Sequence, residues 1–279
     1  ADTVKHDLFH ATFDGKKVTN ETVDGDGPIV QSYKDVDRIR TASNVSVSNT
    51  CVVTGNVLQV FYRDESQGIL LGAMKEPGVD WQYELVDGDR ATDNRTEGDV
   101  GLYVKAMQVK DKTYLIYDSV LQRNQTQDAV AGEIRLAVRS KPDFTSWQYQ
   151  TLDKPRENVA VAGYDVSLGL SGNNVLAAWL TANGNSVPDP DTVRWQVLGG
   201  NVVASALGKF GNPNQFLAFN QKMLLVNCEL RLSVIDTKVA KERLICNWQS
   251  QKPIMANWID WKNNNYAVAG IKGRLVALR

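Results

Sequence analysis

The sequence predicts an all-β chain: a five-bladed β-propeller, with six blades as the alternative, forming one domain over residues 1–279. Three observations predict it. First, one plan recurs. Residues 69–88 run as an alternating apolar strand, a Gly/Pro turn, a second alternating strand and an acidic exit, and residues 8–25 and 132–153 repeat it. Two of these copies share Val-Asp-Gly-Asp (from Val23 and from Val86), and two share Trp-Gln-Tyr (from Trp81 and from Trp147). Second, no stretch of roughly 10–12 residues sustains a 3.6-residue apolar period, so no significant helix is expected. Third, the strands arrive in groups of four, and a repeat of roughly 45–65 residues built from short strands points to a propeller.

In chain order, Leu8 to Phe13 alternates, Asp14-Gly15 turns the chain, and Val18 to Val23 returns it as a hairpin. The next unit offers strands over residues 44–54, 57–63, 69–74 and 81–86. The following unit has strands over 102–108 and 113–118, a long polar loop over 119–131, then strands over 133–139 and 147–152. A third unit has strands over 165–170, 175–180, 193–198 and 202–207, and a fourth over 215–219, 222–226, 230–235 and 240–246. Three last strands, over 256–261, 266–271 and 274–278, are one short of a blade, so the N-terminal hairpin is expected to close the ring. Trp81 and Trp147 are expected to pack between neighbouring blades.

Lys+Arg is 31 against Asp+Glu 32, a net charge of −1, which gives no global field for nucleic acid or anionic membrane. No apolar run approaches the roughly 18–20 residues that span a bilayer. The chain begins Ala1-Asp2-Thr3, as it would after removal of a signal peptide or after trimming, and export to the periplasm, cell surface or medium is the expectation. Sequons at Asn20, Asn44, Asn94 and Asn124 exceed chance only slightly. With three cysteines and only His6 and His10 as histidines, a His-rich zinc site and a Ser-His-Asp triad both lack their parts. Cys228 and Cys246 could pair or stay as buried thiols. No Gly-rich phosphate loop leads from a strand into a helix.

Chemistry is expected where an outer strand hands over to the next inner strand, because those loops open on a propeller's axis. Asp37, Asp99 and Asp165 stand at such places, with Arg38 and Tyr164 beside them. Converging carboxylates would suit Ca²⁺, sugar hydroxyls or a glycosidase acid/base pair. The competing reading is that each Asp caps its own turn through a backbone N–H. No cofactor is assigned.

Val-Asp-Gly-Asp, the following Gly98-Asp99-Val100-Gly101, a strand ending Tyr117-Asp118, then Ile134 to Ala137, Trp147 and Asp153 resemble a degenerate β-propeller repeat of exported bacterial proteins, related in outline to sialidase-like and lectin propellers. The resemblance covers about two thirds of the chain and implies an exported propeller, often part of a surface assembly. Asp37-Arg38-Ile39-Arg40 is similar to the sialidase Arg-Ile-Pro motif but lacks its Pro. Residues 142–147 lack the Gly of an Asp-box. The Arg/Glu/Trp set of a multivalent lectin does not recur from blade to blade. The expected function is therefore non-enzymatic binding of a protein or glycan at an axial face built from Asp37, Arg38, Asp99, Tyr164 and Asp165. A glycoside hydrolase using axial carboxylates, or a lectin, is the alternative.

Overall fold

The computed structural model describes residues 8–23, 45–65, 67–90, 94–127, 129–140, 147–155, 161–171, 173–182 and 192–206, and the strand backbones 213–220, 223–228, 231–236, 241–247, 256–259, 266–271 and 274–278. Every described element is a β-strand. The chain divides into two compact units, one of Ala1–Val120 with Ile134–Leu152, the other of Leu121–Glu133 with Asp153–Arg279.

The first unit opens with the expected hairpin, β1 (Phe9–Phe13) and β2 (Val18–Thr22). Asp14 accepts the N–H groups of Lys16 and Lys17 at 2.8 Å each, and Gly15 takes φ 93°, which together make the turn. Leu8 and Val23 bury against Val60, Tyr62, Leu71 and Trp81. His10 meets Trp81 edge-on at 5.8 Å, and Glu21 bridges His10 and Lys75 at 3.0 and 3.1 Å. The hairpin is thus bound to the next sheet by apolar burial with an ionic rim.

That sheet is the antiparallel meander β3 (Val45–Thr54), β4 (Val57–Asp64), β5 (Ile69–Lys75) and β6 (Gln82–Asp87). A second meander follows: β7 (Val100–Val109), β8 (Lys112–Arg123), β9 (Ala129–Arg139) and β10 (Gln148–Asp153). Phe61, Leu70 and Val86 of the first pack against Val100, Leu115 and Tyr117 of the second. Trp147 lies edge-on to Phe61 at 5.7 Å, the inter-sheet packing expected of it. Beside this apolar seam runs a buried polar one. Arg139 pairs with Glu84 at 2.8 Å, donates to Gln59 and lies 4.2 Å from the Trp147 ring, while the Trp147 indole donates to Glu84 at 3.0 Å. Glu84 needs Gly72 opposite it, since a Cβ there would sit 2.8 Å from its Oε1.

One expectation is corrected here. Residues 119–131 are not a long loop: β8 and β9 continue through most of them as a hairpin, turned by Asn124, whose Oδ1 accepts the Thr126 N–H at 3.0 Å. The exposed Leu121 and Gln122 are followed by a half-buried Arg123, so the alternation that marks a half-buried strand is absent there.

In the second unit β11 (Val161–Ser171), β12 (Asn174–Ala182), β13 (Thr192–Val197) and β14 (Val203–Ala206) pair antiparallel in order, and Val161 adds one parallel bridge to Gly132. The sheets β15 (Pro213–Asn220), β16 (Met223–Cys228), β17 (Arg231–Asp236), β18 (Lys241–Asn247) and β19 (Ala256–Ile259), β20 (Tyr266–Ile271), β21 (Arg274–Leu278) complete it. The side chains of Cys228 and Cys246 lie outside the described residues; Cys51 is a free, exposed thiol. Among the described strands, β1 and β2 pair with each other and β19–β21 form their own sheet, so the pairing itself states neither a blade count nor a closure.

A single device occurs in both units. Asp87 ends β6 fully buried; its carboxylate accepts the N–H of Gly88 (2.8 Å) and Thr96 (2.7 Å) and the Tyr117 hydroxyl of β8 (2.8 Å), and lies 3.0 Å from Arg135 Nε of β9. Asp153 ends β10 and accepts the Lys154 N–H (3.1 Å) and the Trp179 indole N–H of β12 (2.9 Å), with Arg194 Nε of β13 at 2.7 Å. In each case an aspartate ending a strand is held by an aromatic donor from one later strand and an arginine from the strand after that. The acidic exit of the sequence repeat is this buried anion. Truncating it strands a guanidinium in the interior, so Asp87→Ala and Asp153→Ala should each cost about 3–5 kcal/mol in urea unfolding. A loss below about 1 kcal/mol would show that the aspartates do not hold the sheets.

Candidate active site

The loop that leaves Asp87 returns at Gly98-Asp99-Val100-Gly101, where Gly98, Asp99 and Gly101 take φ of 64°, 50° and 76°. Glycine adopts this region freely, and aspartate is among the few other residues that tolerate it. The backbone is pinned on three sides: Gly98 N–H to Gly88 O (2.7 Å), Val100 N–H to Gly68 O (3.0 Å) and Val120 N–H to Asp99 O (2.8 Å). Gly68, with φ 68°, lies so close that a Cβ on it would be 2.8 Å from the Asp99 nitrogen. Strained backbone held from several directions is what sites with a function characteristically show.

This packing sets Asp99 against the end of β4. Arg63, with only 6% of its side chain exposed, donates through Nη1 to Val100 O (2.8 Å), through Nη2 to Asp99 Oδ1 (2.9 Å) and through Nε to Glu65 Oε2 (2.8 Å). Nε and Nη2 are the parallel donors of the guanidinium fork, which one carboxylate normally takes alone. Here two carboxylates divide that edge and stand side by side. Both are reached by solvent, with 31% of the Glu65 and 28% of the Asp99 side chain exposed.

A third carboxyl lies behind them. The registers Asn49↔Tyr62 with Val45↔Asp64, and Val104↔Tyr117 with Val100↔Ser119, put Arg63 and Asp118 in the same place in successive sheets. Asp118 is buried and accepts the Tyr103 N–H at 2.8 Å. Burial pushes its pKa from 3.8 to about 7, against the pull of the Tyr103 N–H and the Arg63 guanidinium and with a further push from the Asp99 charge.

Of the side chains expected to form a site, Asp99 alone stands in this cluster. Asp37 and Arg38 lie outside the described residues, as does the side chain of Tyr164, whose backbone is in β11. Asp165 accepts the N–H of the next residue, Val166, at 2.9 Å. It falls in the irregularity of β11 between Ala162 and Val166, the place Tyr103 holds in β7, so it does not correspond to Asp99. Among the described residues no group of three or more Asp, Glu, His or Cys side chains is placed to hold a metal ion. Arg63, Glu65 and Asp118 are what sequence reading missed. The signal was present in Tyr62-Arg63-Asp64 and Tyr117-Asp118, where charges close strands that are otherwise apolar.

No protein-family model matches the sequence, and no curated protein does. Solved structures do. A Trypanosoma rangeli sialidase in complex with sialic acid is similar over 96% of this chain at 12% identity and TM-score 0.51, and the chain spans 48% of that protein. Zg3597, a family 117 glycoside hydrolase of the marine bacterium Zobellia galactanivorans, is similar over 90% of this chain and 78% of its own at 12% identity and TM-score 0.50. An α-L-arabinanase of Cellvibrio cellulosa reaches TM-score 0.45 at 11% identity, over 79% of this chain and 85% of its own. At these identities the likeness is one of fold: all-β and propeller-like. The expected non-enzymatic binding scaffold is corrected by these findings, since the solved structures that share the fold are glycoside hydrolases.

The burial of Asp118 has a thermodynamic consequence. Between its ordinary 3.8 and about 7 the folded protein keeps a proton that the unfolded chain has released, so stability falls as pH rises and levels off above about 7. From pH 5 to 8 the loss should be on the order of 2–3 kcal/mol. Asp118→Asn should lack it and be the more stable protein at pH 8. Glu84, raised by its own burial, acts in the same sense in both proteins and cancels from the comparison. Urea unfolding of both at the two pH values checks this; parallel behaviour would overturn it.

Proposed function

We propose that this protein is a glycoside hydrolase whose chemistry is carried by Glu65 and Asp99. The observation that supports it most is the division of one guanidinium edge between two solvent-reachable carboxylates, at 2.8 and 2.9 Å from Arg63. Cleavage of a glycosidic bond needs two carboxyl groups at the scissile bond in opposite roles. One gives a proton to the departing oxygen as its bond to the anomeric carbon breaks. The other attacks that carbon, or takes a proton from the water that does. Arg63 fixes both in place. Asp118 does not reach the substrate; it is a positioning residue, and the charge it gains above about 7 competes for Arg63.

The names of the solved structures with the same fold, a sialidase and a family 117 glycoside hydrolase, support this reading. The finer expectations from the sequence, five blades closed by strands from both chain ends and an exported protein, are kept as part of the proposal.

A panel of chromogenic aryl glycosides tests it. Turnover should appear on at least one member, and Glu65→Gln and Asp99→Asn should each lower kcat/KM by about 100-fold or more while remaining folded. Asp118→Asn should keep most activity at pH 6 and lose the alkaline limb near pH 7. A folded wild-type protein silent across the whole panel would reject the proposal.

A further inference from the structure

We propose that the seat of hairpin β1–β2 on the next sheet is a pH-operated latch, in which His10 and the Trp81 indole compete for the Glu21 carboxylate. The observation behind it is a looser copy of the buried Glu84 lock. Glu21 stands two residues before its Val-Asp-Gly-Asp string, as Glu84 does before its own, and Trp81 opens a Trp-Gln-Tyr string, as Trp147 does. Lys75 ends β5 as Arg139 ends β9. In the interior copy Glu84 pairs with Arg139 at 2.8 Å and accepts the Trp147 indole N–H at 3.0 Å. In the outer copy Glu21 pairs with Lys75 at 3.1 Å, but the Trp81 Nε1 donor is buried without a hydrogen-bond partner. The register explains the difference. Gly72 lies opposite Glu84, whereas His10 lies opposite Glu21 and engages its Oε1 at 3.0 Å.

An N–H buried without an acceptor is unfavourable, so the indole gains when Glu21 turns to it. The charge on His10 decides whether it does. As an imidazolium, His10 makes a charge-assisted bond to Glu21, about twice as strong as a neutral one. That bond lies within the hairpin, while a bond from Trp81 ties the hairpin to the sheet. Protonation also sets a second cation beside Lys75, which shares Glu21 and lies 5.7 Å from the Trp81 ring. Among the described residues, Glu21 from β2 and Lys75 from β5 are the charged groups that meet His10 at this seat. The hydrogen bond from His10 first, and Lys75 after it, hold the Glu21 carboxyl below its usual range. Glu21 therefore stays ionised while imidazole changes charge between about pH 5 and 8. Protons reach the seat: His10 is 29% and Glu21 39% exposed, where Arg139 and Glu84 are both at 0%. The hairpin is held more firmly above the imidazole range than below it.

The test follows the Trp81 indole N–H in ¹H–¹⁵N spectra of the whole chain. Its signal is assigned by its loss in Trp81→Phe or, should that variant not fold, by its contacts with the Lys75 side chain. Between about pH 5 and 8 the Trp81 signal should move downfield as it gains an acceptor, while the Trp147 signal stays in place. Amide hydrogen exchange in β1 and β2, corrected for its intrinsic pH dependence, should slow about 3- to 5-fold over the same range, the scale an exposed ion pair supports. His10→Ala, or His10→Gln should the first not fold, should hold both readouts at their high-pH values throughout. Both variants keep His6, the other histidine, so its titration cancels from the comparison. A Trp81 signal that ignores pH in the wild type would overturn the inference. So would a response that survives the loss of His10, or exchange in the hairpin that is slower at the acid end than at the alkaline end.

Discussion

The first unit depends on a carboxylate buried at the end of a strand. Burying an ionised aspartate costs several kcal/mol unless nearly every lone pair is matched. Asp87 meets that condition only when three things coincide. The chain must turn so that the Gly88 and Thr96 N–H groups point back, the second sheet must supply Tyr117, and Arg135 must supply the countercharge. The same contacts that neutralise the anion therefore specify the path of residues 88–97. That path delivers Asp99 to Arg63. The hydroxyl of Tyr117 pays part of the cost in turn, for burial and the neighbouring anion both hold its proton well above the usual phenol range. Loss of the anion would loosen the sheet junction and the approach to the site together.

From there the site is built mainly by backbone. The left-handed run at residues 98–101 and the glycine at 68 let two loops touch main chain to main chain, closer than side chains allow. Gly101 is constrained likewise, since a Cβ there would be 2.8 Å from Leu70 Cδ1. Glycine loses the most conformational entropy on ordering, so a cluster of required glycines weakens the fold locally. The hydrogen bonds of Gly98, Val100 and Val120 and the apolar seam around Phe61 and Leu70 offset that weakness.

Strand order was legible in the sequence wherever one face is buried. Val57 to Asp64 and Ile69 to Lys75 read as largely apolar runs because both faces of these strands are buried, and Asp14-Gly15 announces its turn. Residues 119–131 were not legible, because apolar Val120 and Leu121 are adjacent and polar Gln122 and Arg123 follow them, which breaks the period-2 alternation. The acidic exits were visible as a repeated motif, but their burial was not: a Val-Asp-Gly string reads equally as a solvated turn. Asp99 and Asp165 looked equivalent by spacing. The irregularities in β7 and β11 break that equivalence by shifting which residue faces which, and a bulge leaves little trace in sequence. Arg63 and Asp118 emerged only through register, since Arg63 is followed directly by Asp64 and Asp118 lies within β8, not at its end.

The first unit contains three buried arginines beside acids, and the difference between Arg139 and Arg63 separates a structural pair from the cluster proposed to carry chemistry. Arg139 and Glu84 stand one to one, both wholly buried, with Gln59 accepting from Arg139 and the Trp147 indole donating to Glu84. Breaking such a pair leaves a stranded charge. Arg63 instead serves two carboxylates that face water, with a third carboxyl held neutral behind it up to about pH 7. Arg63 spends three of its five N–H donors on Val100, Glu65 and Asp99 and stays nearly buried, while the two carboxylates it positions face water. The two clusters are assembled from the same residue types; the ratio of acid to base and access to water separate them, and under the proposed hydrolase reading the second is where a sugar would sit.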